Sequence, residues 1–597
     1  MTNSFKIIAA RTAALRAELK KRKLTGFIIP RQDEFQGEYV AAYAERLRWL
    51  TGFAGSWGLA ILTQKSGAIF VDGRYTIQVR AQVDVKTYKP RHLVEEPPAA
   101  WITANLKKGD RLGFDPWLIT ADQATTFSAA CGSTGAKLVP VTSNPIDAIW
   151  HDQPARPSAA ITTQPTQFAG RKAKEKLADI VKTLGTAAAV VLTQPDSVAW
   201  LLNLRGFDVP YTPVVPAYAI VHRKAKAELF IDAKKVPEDV RAHLKSIATL
   251  RQPARIIDSL KSLGARKAVV QLDKGSAPDA IRAALSRAGA VIVTAADPCV
   301  LPKARKNKTE QQGARAAQLR DGVAMSRFLC WLESAGPEGG LHEMAVADKL
   351  EQFRNGTGVL MDLSFDSIAA AGPNAAIPHY HVSAETSRAL GMNEIFLIDS
   401  GGQYQDGTTD ITRTTVIGQP TDEMKDRFTR VLKGMINLSR IRFPKGTCGS
   451  QLDVLARGSL WTAGLDFDHG TGHGVGSYLS VHEGPARINK SDRVALEPGM
   501  ILSNEPGFYK QGEYGIRIEN LVMVYQAKAV PGGDRPMLGF ETLTLCPIER
   551  RLIDTRLMIR DELAWLNAYH TRVLKEVGDF LSGAELDWLK KACAPLS

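Results

Sequence analysis

The chain has 597 residues, 44% of them hydrophobic and 23% charged, which is too much for one ordinary core and implies two to four domains. That balance excludes disordered and collagen-like chains, and no run approaches the roughly 18 uninterrupted apolar residues of a membrane-spanning helix. The net charge of +14 reads as a basic enzyme surface: the densest cationic run, Lys303-Ala-Arg-Lys-Asn-Lys308, is short and falls in an apparent linker, so neither nucleic acid nor membrane is expected as a partner.

At the N-terminus, Ile8, Leu15 and Leu19 recur at helical spacing among Lys6, Arg11 and Arg16, predicting a surface helix without the continuous apolar core of a signal peptide. Six scattered cysteines without a C-x-x-C pair suit a reducing compartment, and a cytoplasmic location is expected. Two proline-rich seams, His151–Pro165 and Asp297–Pro302, resemble interdomain connections and predict domains at 1–155, 156–303 and 304–597.

The first two segments read as distant copies. Gly26-Phe-Ile-Ile-Pro30, Trp49-Leu-Thr-Gly52, Leu59-Ala-Ile-Leu62 and Ile69-Phe-Val-Asp72 are answered by Val190-Val-Leu-Thr193, Trp200-Leu-Leu-Asn203, Tyr218-Ala-Ile-Val221 and Leu229-Phe-Ile-Asp232. Each run is predicted as a short apolar strand, giving two mixed α/β modules. The third segment opens with a helix expected to start at a capping box of Thr309 and Gln312, with Ala316, Leu319, Val323, Phe328 and Leu332 on its apolar face. Strand-like stretches then dominate from Ile395 to Val524.

The unusual residues collect in that last stretch. Ile395-Phe-Leu-Ile-Asp399 ends an apolar run in an acid; a turn region containing Gly401, Gly402 and Gly407 follows, and a Thr-rich strand carries Asp410. A hairpin would set the two acids side by side. Alone, Asp399 reads equally as a turn cap or as a ligand. His469, His473 and His482 follow within 14 residues of a chain that has 11 histidines, with glycines around His473 leaving its imidazole accessible. This segment is no dinucleotide fingerprint, since no acidic-ended βαβ unit surrounds it. His482-Glu483 is no zincin helix, since Gly484-Pro485 follows, and the chain has no G-x-S-x-G elbow. Glu505 stands before a Pro-Gly turn, and Glu519 lies in an alternating stretch with Arg517 two residues earlier on the same face. Singly, each glutamate is an ordinary strand residue. Together, two Asp, two Glu and one His form an oxygen-rich donor set suited to two hard divalent ions, manganese before cobalt or zinc. Two such ions about 3.5–4 Å apart can activate a water and stabilise both oxygens of a hydrolytic intermediate.

The pattern Asp399, Asp410, His473, Glu505, Glu519 resembles the pita-bread metallopeptidases, which include aminopeptidase P, prolidase and methionine aminopeptidase. Similarity to the long, three-domain, cytosolic-type Xaa-Pro aminopeptidases extends through Asp72-Gly-Arg-Tyr75, Asn203-Leu-Arg-Gly206, Asp362-Leu-Ser-Phe-Asp366, Gly372-Pro-Asn374 with Pro378-His379-Tyr380, Phe540-Glu-Thr-Leu-Thr544 and Trp565-Leu-Asn-Ala-Tyr-His570. The resemblance implies two creatinase-N-like α/β modules followed by a C-terminal pita-bread catalytic domain, a homodimer, and release of the N-terminal residue from peptides with proline second. It implies that Asp399 chelates one metal, His473 and Glu505 the other, and that Asp410 and Glu519 bridge them. His379 and His482 would contact the peptide carbonyl, His469, Trp461 and Arg74 would line the substrate site, and Arg517 would hold the bridging carboxylate. Glu505 would carry a proton to the proline nitrogen, which has no N–H of its own. The rivals are a prolidase cutting only dipeptides, which lacks the second module, and a binding protein of the same fold, as in histone-binding relatives that lack the ligands.

Overall fold

The apolar runs of the N-terminal half build two sheets on one plan. Gly26–Pro30 pairs antiparallel with Leu59–Thr63, which pairs antiparallel with Gly67–Val71, and that strand pairs parallel with Lys89–His92. On its other side Gly26–Pro30 runs parallel to Arg111–Phe114, and that strand to Lys137–Pro140. The second sheet repeats every step with Ala189–Leu192, Tyr218–His222, Ala227–Phe230, Ala248–Arg251, Val269–Leu272 and Val291–Thr294. Asp72 and Asp232 even play the same part, each side chain accepting the backbone N–H two residues on at 3.0 Å. The computed structural model describes residues 3–597 and divides into two compact units: residues through Pro165 with Arg171–Val300, which hold both sheets, and Thr166–Gly170 with Leu301–Ser597. The predicted first helix spans Asn3–Lys21 and buries Ile8, Leu15 and Leu19.

Two readings need correction here. Trp49–Gly52 and Trp200–Asn203 are not strands but the ends of the helices Arg46–Thr51 and Pro195–Leu202. Gly52 at φ 83° and Asn203 at φ 51° stop those helices in the left-handed conformation that glycine and asparagine tolerate best. A run of four residues is too short to distinguish a strand from a helix end by periodicity.

The main segment of the second unit starts at Leu301, within the short helix Val300–Ala304, and continues into the helix Lys308–Ala335. The capping box of the long helix is Asn307 with Glu310, not Thr309 with Gln312: the Asn307 side chain accepts from Thr309 N at 2.9 Å and Glu310 N at 3.1 Å, and Glu310 returns a bond to Asn307 N at 3.0 Å. The cationic run is likewise no solvated linker, because the turn between the two helices folds inward: Lys303 and Lys306 are 1% and 3% exposed, both ion-paired to Glu483.

Antiparallel strands follow. Ile368–Ala371, Glu394–Ser400 and Ile411–Ile417 form one sheet, and a six-stranded sheet orders Arg442–Pro444, Met537–Thr542, Asn520–Gln526, Ile501–Asn504, Gly472–Gly474 and Glu483–Ile488. The hairpin Gly507–Lys510 with Tyr514–Arg517 stands beside them. The helix Asp422–Arg440 starts on Thr421, which accepts from Met424 N at 3.2 Å, and carries acids in its first turn, as the helix dipole favours. Its Phe428, Leu432 and Met435 share one core with Leu566, Val573 and Val577 of the helix Arg560–Gly578.

His570 of that last helix is fully buried, and its Nε2 accepts from Ile548 N at 3.1 Å. Burial, reinforced by the Arg413 and Arg550 guanidiniums, pushes its pKa down to about 3. Between pH 6.5 and 3 the unfolded chain therefore binds a proton that the native imidazole does not, so stability falls as pH drops through that window. From pH 7 to 5 this one group should remove about 2 kcal/mol. Calorimetric melting should show a steeper acid-side loss for the wild type than for His570→Gln; parallel pH profiles would contradict a neutral, buried His570.

Candidate metal centre

The first two acids are set by strand geometry. Glu394–Ser400 and Ile411–Ile417 run antiparallel with Asp399 opposite Thr412, and both strands are buried. Asp410, immediately before the second strand, comes close enough to Asp399 for strong mutual repulsion. The turn permits this because Gly401 has no side chain: a Cβ there would lie 2.0 Å from Thr409 O and 2.2 Å from Ser364 Oγ. Beneath Asp399, Ser400 accepts a hydrogen bond from Arg354, a fully buried guanidinium that also grips Asp321 at 2.7 and 3.0 Å.

His473 is the centre of the three-residue strand Gly472–Gly474. Both flanking glycines are required by close backbone contacts, since Cβ atoms would come 2.0 Å from Ser503 O and 2.3 Å from Glu483 O. Ser503 Oγ accepts from His473 N at 2.9 Å and donates to Glu505 Oε1 at 3.1 Å, tying this strand to the next acid. The imidazole Nδ1 lies 3.0 Å from Gly474 O, so Nδ1–H donates to that carbonyl and the Nε2 lone pair faces inward. Nε2 is 3.5 Å from Asp410 Oδ2 and 3.4 Å from Glu505 Oε1. Glu519, between Arg517 and the strand Asn520–Gln526, donates its N–H to Thr412 O at 3.1 Å and accepts from Thr412 Oγ1 at 2.9 Å. One ligand atom from each of Asp410, His473 and Glu519 lies within 4.8 Å of the others.

Crowding these acids in a buried volume opposes their ionisation. Burial, then repulsion from the neighbouring carboxylates, holds Asp410 and Glu519 well above the usual carboxylate range. Asp399 Oδ1 and Glu519 Oε1 are buried without a hydrogen-bond donor. Acceptor-only oxygens in such surroundings are stabilised by cations, and four carboxylates with one inward imidazole lone pair fit divalent metal ions. Arg517 supplies a fixed counter-charge to Asp399, with Nη2 and Nε at 2.6 and 3.1 Å from Oδ2. This corrects its expected partner: its guanidinium grips Asp399 rather than Asp410 or Glu519, because it leaves the strand Tyr514–Arg517 toward the Asp399 side and meets Glu519 only through Thr412 Oγ1, 3.2 Å from Nε.

The other expected residues divide. The His482 ring stands edge-on to His473 with centroids 4.2 Å apart. His469 Nε2 is 2.8 Å from Tyr509 OH, which accepts from Arg517 Nη1 at 2.7 Å, so His469 reaches Asp399 through two intermediaries. His379 is half-buried in the turn after Gly372–Ala376. That loop is held by Glu343, a fully buried carboxylate accepting from Ala371 N, Asn374 Nδ2, Tyr380 OH and Arg388 N at 2.7 to 3.0 Å. Trp461 ends the helix Gly449–Trp461 and is 46% exposed rather than packed. Arg74 belongs to the first unit, bonded to Asp72 at 2.7 Å and 3.7 Å from Glu38. The sequence reading missed Tyr509, Ser503, Thr412 and Glu343. Tyr509 was detectable, two residues after Gly507 on the same strand face, whereas Glu343 looks like any acid opening a helix.

The chain matches Metallopeptidase family M24 over residues 312–526 and the C-terminal region of that family over 536–596. The Creatinase/Prolidase N-terminal domain is matched twice, over 11–149 and 152–310. The chain is 38% identical to the probable Xaa-Pro aminopeptidase P of Paracoccidioides brasiliensis over 98% of its own length and 99% of that protein's. The corresponding protein of Coccidioides posadasii (strain C735) is 40% identical, with 98% and 93% covered. In three dimensions the chain is similar to the X-prolyl aminopeptidase of Caenorhabditis elegans, described as a cytosolic enzyme with a di-nuclear active site, at a TM-score of 0.94, 35% identity and 99% and 100% coverage. The Xaa-Pro dipeptidase of Bacillus anthracis shares the fold over 63% of this chain and 99% of its own, at 23% identity and a TM-score of 0.52. With two creatinase-type modules, a pita-bread domain and homology along its whole length, the chain belongs to metallopeptidase family M24, within its Xaa-Pro aminopeptidase P group.

Proposed function

We propose that the protein hydrolyses the bond before proline in peptides of the form Xaa-Pro-Yaa, releasing the N-terminal residue, with two divalent ions held by Asp399, Asp410, His473, Glu505 and Glu519. The observation that carries this reading is the convergence of Asp410, Glu519 and Glu505 on His473, with Asp399 Oδ1 and Glu519 Oε1 buried and lacking donors. The donor set favours manganese, with cobalt and zinc as alternatives. Asp399 would hold one ion and His473 with Glu505 the other, with Asp410 and Glu519 contributing to both. When bound, the ions supply a water acidic enough to attack a carbonyl near neutral pH.

The chain's own residues do the rest. Glu505, steered by Ser503, takes the proton of the attacking water and delivers it to the proline nitrogen. His482 and His379 donate to the peptide carbonyl and to the oxyanion that develops from it. His469 and Trp461 contact the substrate, and Arg517 keeps Asp399 oriented. We further propose domain limits at 1–155, 156–303 and 304–597, a homodimer, and a cytoplasmic setting; among the described residues no helix is long and apolar enough to cross a membrane. Preference for longer peptides over dipeptides is supported by full-length similarity to the nematode aminopeptidase. Faster cleavage of Xaa-Pro-Yaa than of Xaa-Pro tests it; the reverse order would favour the prolidase reading.

Asp410→Ala and Glu519→Ala should each reduce turnover to that of metal-free protein with little change in fold, measured with metal content on the same preparations. Either variant turning over normally at full metal occupancy would contradict the shared-carboxylate assignment. Because Asp410 and Glu519 hold protons above the usual range without metal, cations displace protons on binding. Metal affinity should therefore rise with pH, and titration calorimetry in buffers of different ionisation enthalpy should detect proton release; a pH-independent affinity with no proton release would argue against the crowded carboxylates as ligands. His482→Gln should lower kcat on the order of 10²–10³-fold, with KM moving less. A normal kcat with a lowered melting midpoint would make His482 a packing residue.

A further inference from the structure

Beside the metal centre lies a second buried ionic cluster that the proposed reaction does not use. Lys303 Nζ is 2.8 Å from Glu483 Oε2, Lys306 Nζ donates to Glu483 Oε1, and Lys306 lies 177 residues before its partner. All three side chains are 1% exposed. Lys306 is fixed further, its Nζ donating to Lys303 O and its backbone N–H to Gly499 O, both at 3.0 Å. Removing three charged groups from water is costly, and apolar residues could fill the same volume, so what the cluster adds is a directed restraint.

The restraint points at the active site. Glu483 opens the strand Glu483–Ile488 and pairs with Gly474, across an irregularity in register beside His473. At Gly474 the two backbones touch, as the 2.3 Å approach of a Cβ to Glu483 O shows. His482 immediately precedes Glu483, and its ring rests 4.2 Å from the His473 ring. A carboxylate held from two sides thus anchors the backbone from which the His482 imidazole projects.

We propose that Lys303, Lys306 and Glu483 are positioning residues that clamp His482 in place against His473, so that the cationic segment opening the second unit sets the geometry of the carbonyl-binding histidine. The inference rests on the reading of His482 as a substrate contact.

The test uses the full-length enzyme loaded with Mn2+ and a proline-containing tripeptide. Lys306→Met removes one arm and leaves a balanced Lys303–Glu483 pair, while Glu483→Asp keeps the charge and shortens its reach. Each should lower kcat about 10- to 100-fold, with KM, metal content and melting midpoint near wild type. In a His482→Gln background Lys306→Met should cost nothing further, because its effect passes through the imidazole. An unchanged kcat in both variants, a loss that follows metal content or midpoint, or a loss that multiplies with that of His482→Gln overturns the clamp. Wild-type kcat in His482→Gln alone overturns instead the reading of His482 as a substrate contact, and the clamp's role in the reaction with it.

Discussion

Repulsion among Asp399, Asp410, Glu505 and Glu519, gathered in a buried volume around the His473 imidazole, is the constraint on which the second unit depends. Desolvation and proximity both oppose ionisation there, and Asp410 and Glu519 are driven well above the usual carboxylate range. Arg517 offsets one of these charges, and the surroundings otherwise aim the acids. Arg517 holds one oxygen of Asp399, Thr412 one of Glu519, and Ser503 one of Glu505, while Asp399 Oδ1 and Glu519 Oε1 are left without donors. One oxygen steered and one open is the arrangement expected of a metal ligand whose outer partners fix its direction.

Holding such a cluster requires a stiff frame, and the frame is made of backbone contacts that exclude side chains. Gly401, Gly472 and Gly474 each stand where a Cβ would meet a carbonyl oxygen at 2.0 to 2.3 Å. Gly515 belongs with them, since its Cβ would come 1.8 Å from Ala375 O, which docks the Gly507–Lys510 hairpin against the loop before His379. Buried ion pairs brace the frame from behind: Arg354 with Asp321 beneath Ser400, and Lys303 and Lys306 with Glu483 behind His482.

The residues legible in the sequence were those whose type is costly without a partner. An acid ending the apolar run Ile395–Ile398, and a histidine between glycines, stand out because burial or exposed flexibility there needs a reason. The repeat of the two N-terminal sheets was legible for a similar cause, since buried strands repeat as apolar runs between turns. Partners, by contrast, are set by tertiary geometry that no spacing encodes. Arg517 and Glu519 share a strand face in sequence, yet the guanidinium turns to Asp399, which lies 118 positions away. Lys303 and Lys306 looked solvated because a run of lysines in a polar connection usually is, and their acceptor lies far downstream. Trp49–Gly52 and Trp200–Asn203 were misread because left-handed helix ends are a property of backbone angle.

On the proposed reading, the carboxylate cluster is completed by two divalent ions and is catalytically incomplete without them. The most direct test strips the enzyme of metal and follows hydrolysis of a proline-containing tripeptide while Mn2+ is added back, with bound metal counted at each step. Stripped enzyme should show negligible turnover, with recovery that saturates at two ions per chain. Full turnover by the stripped enzyme, or saturation with one ion bound, would contradict that reading.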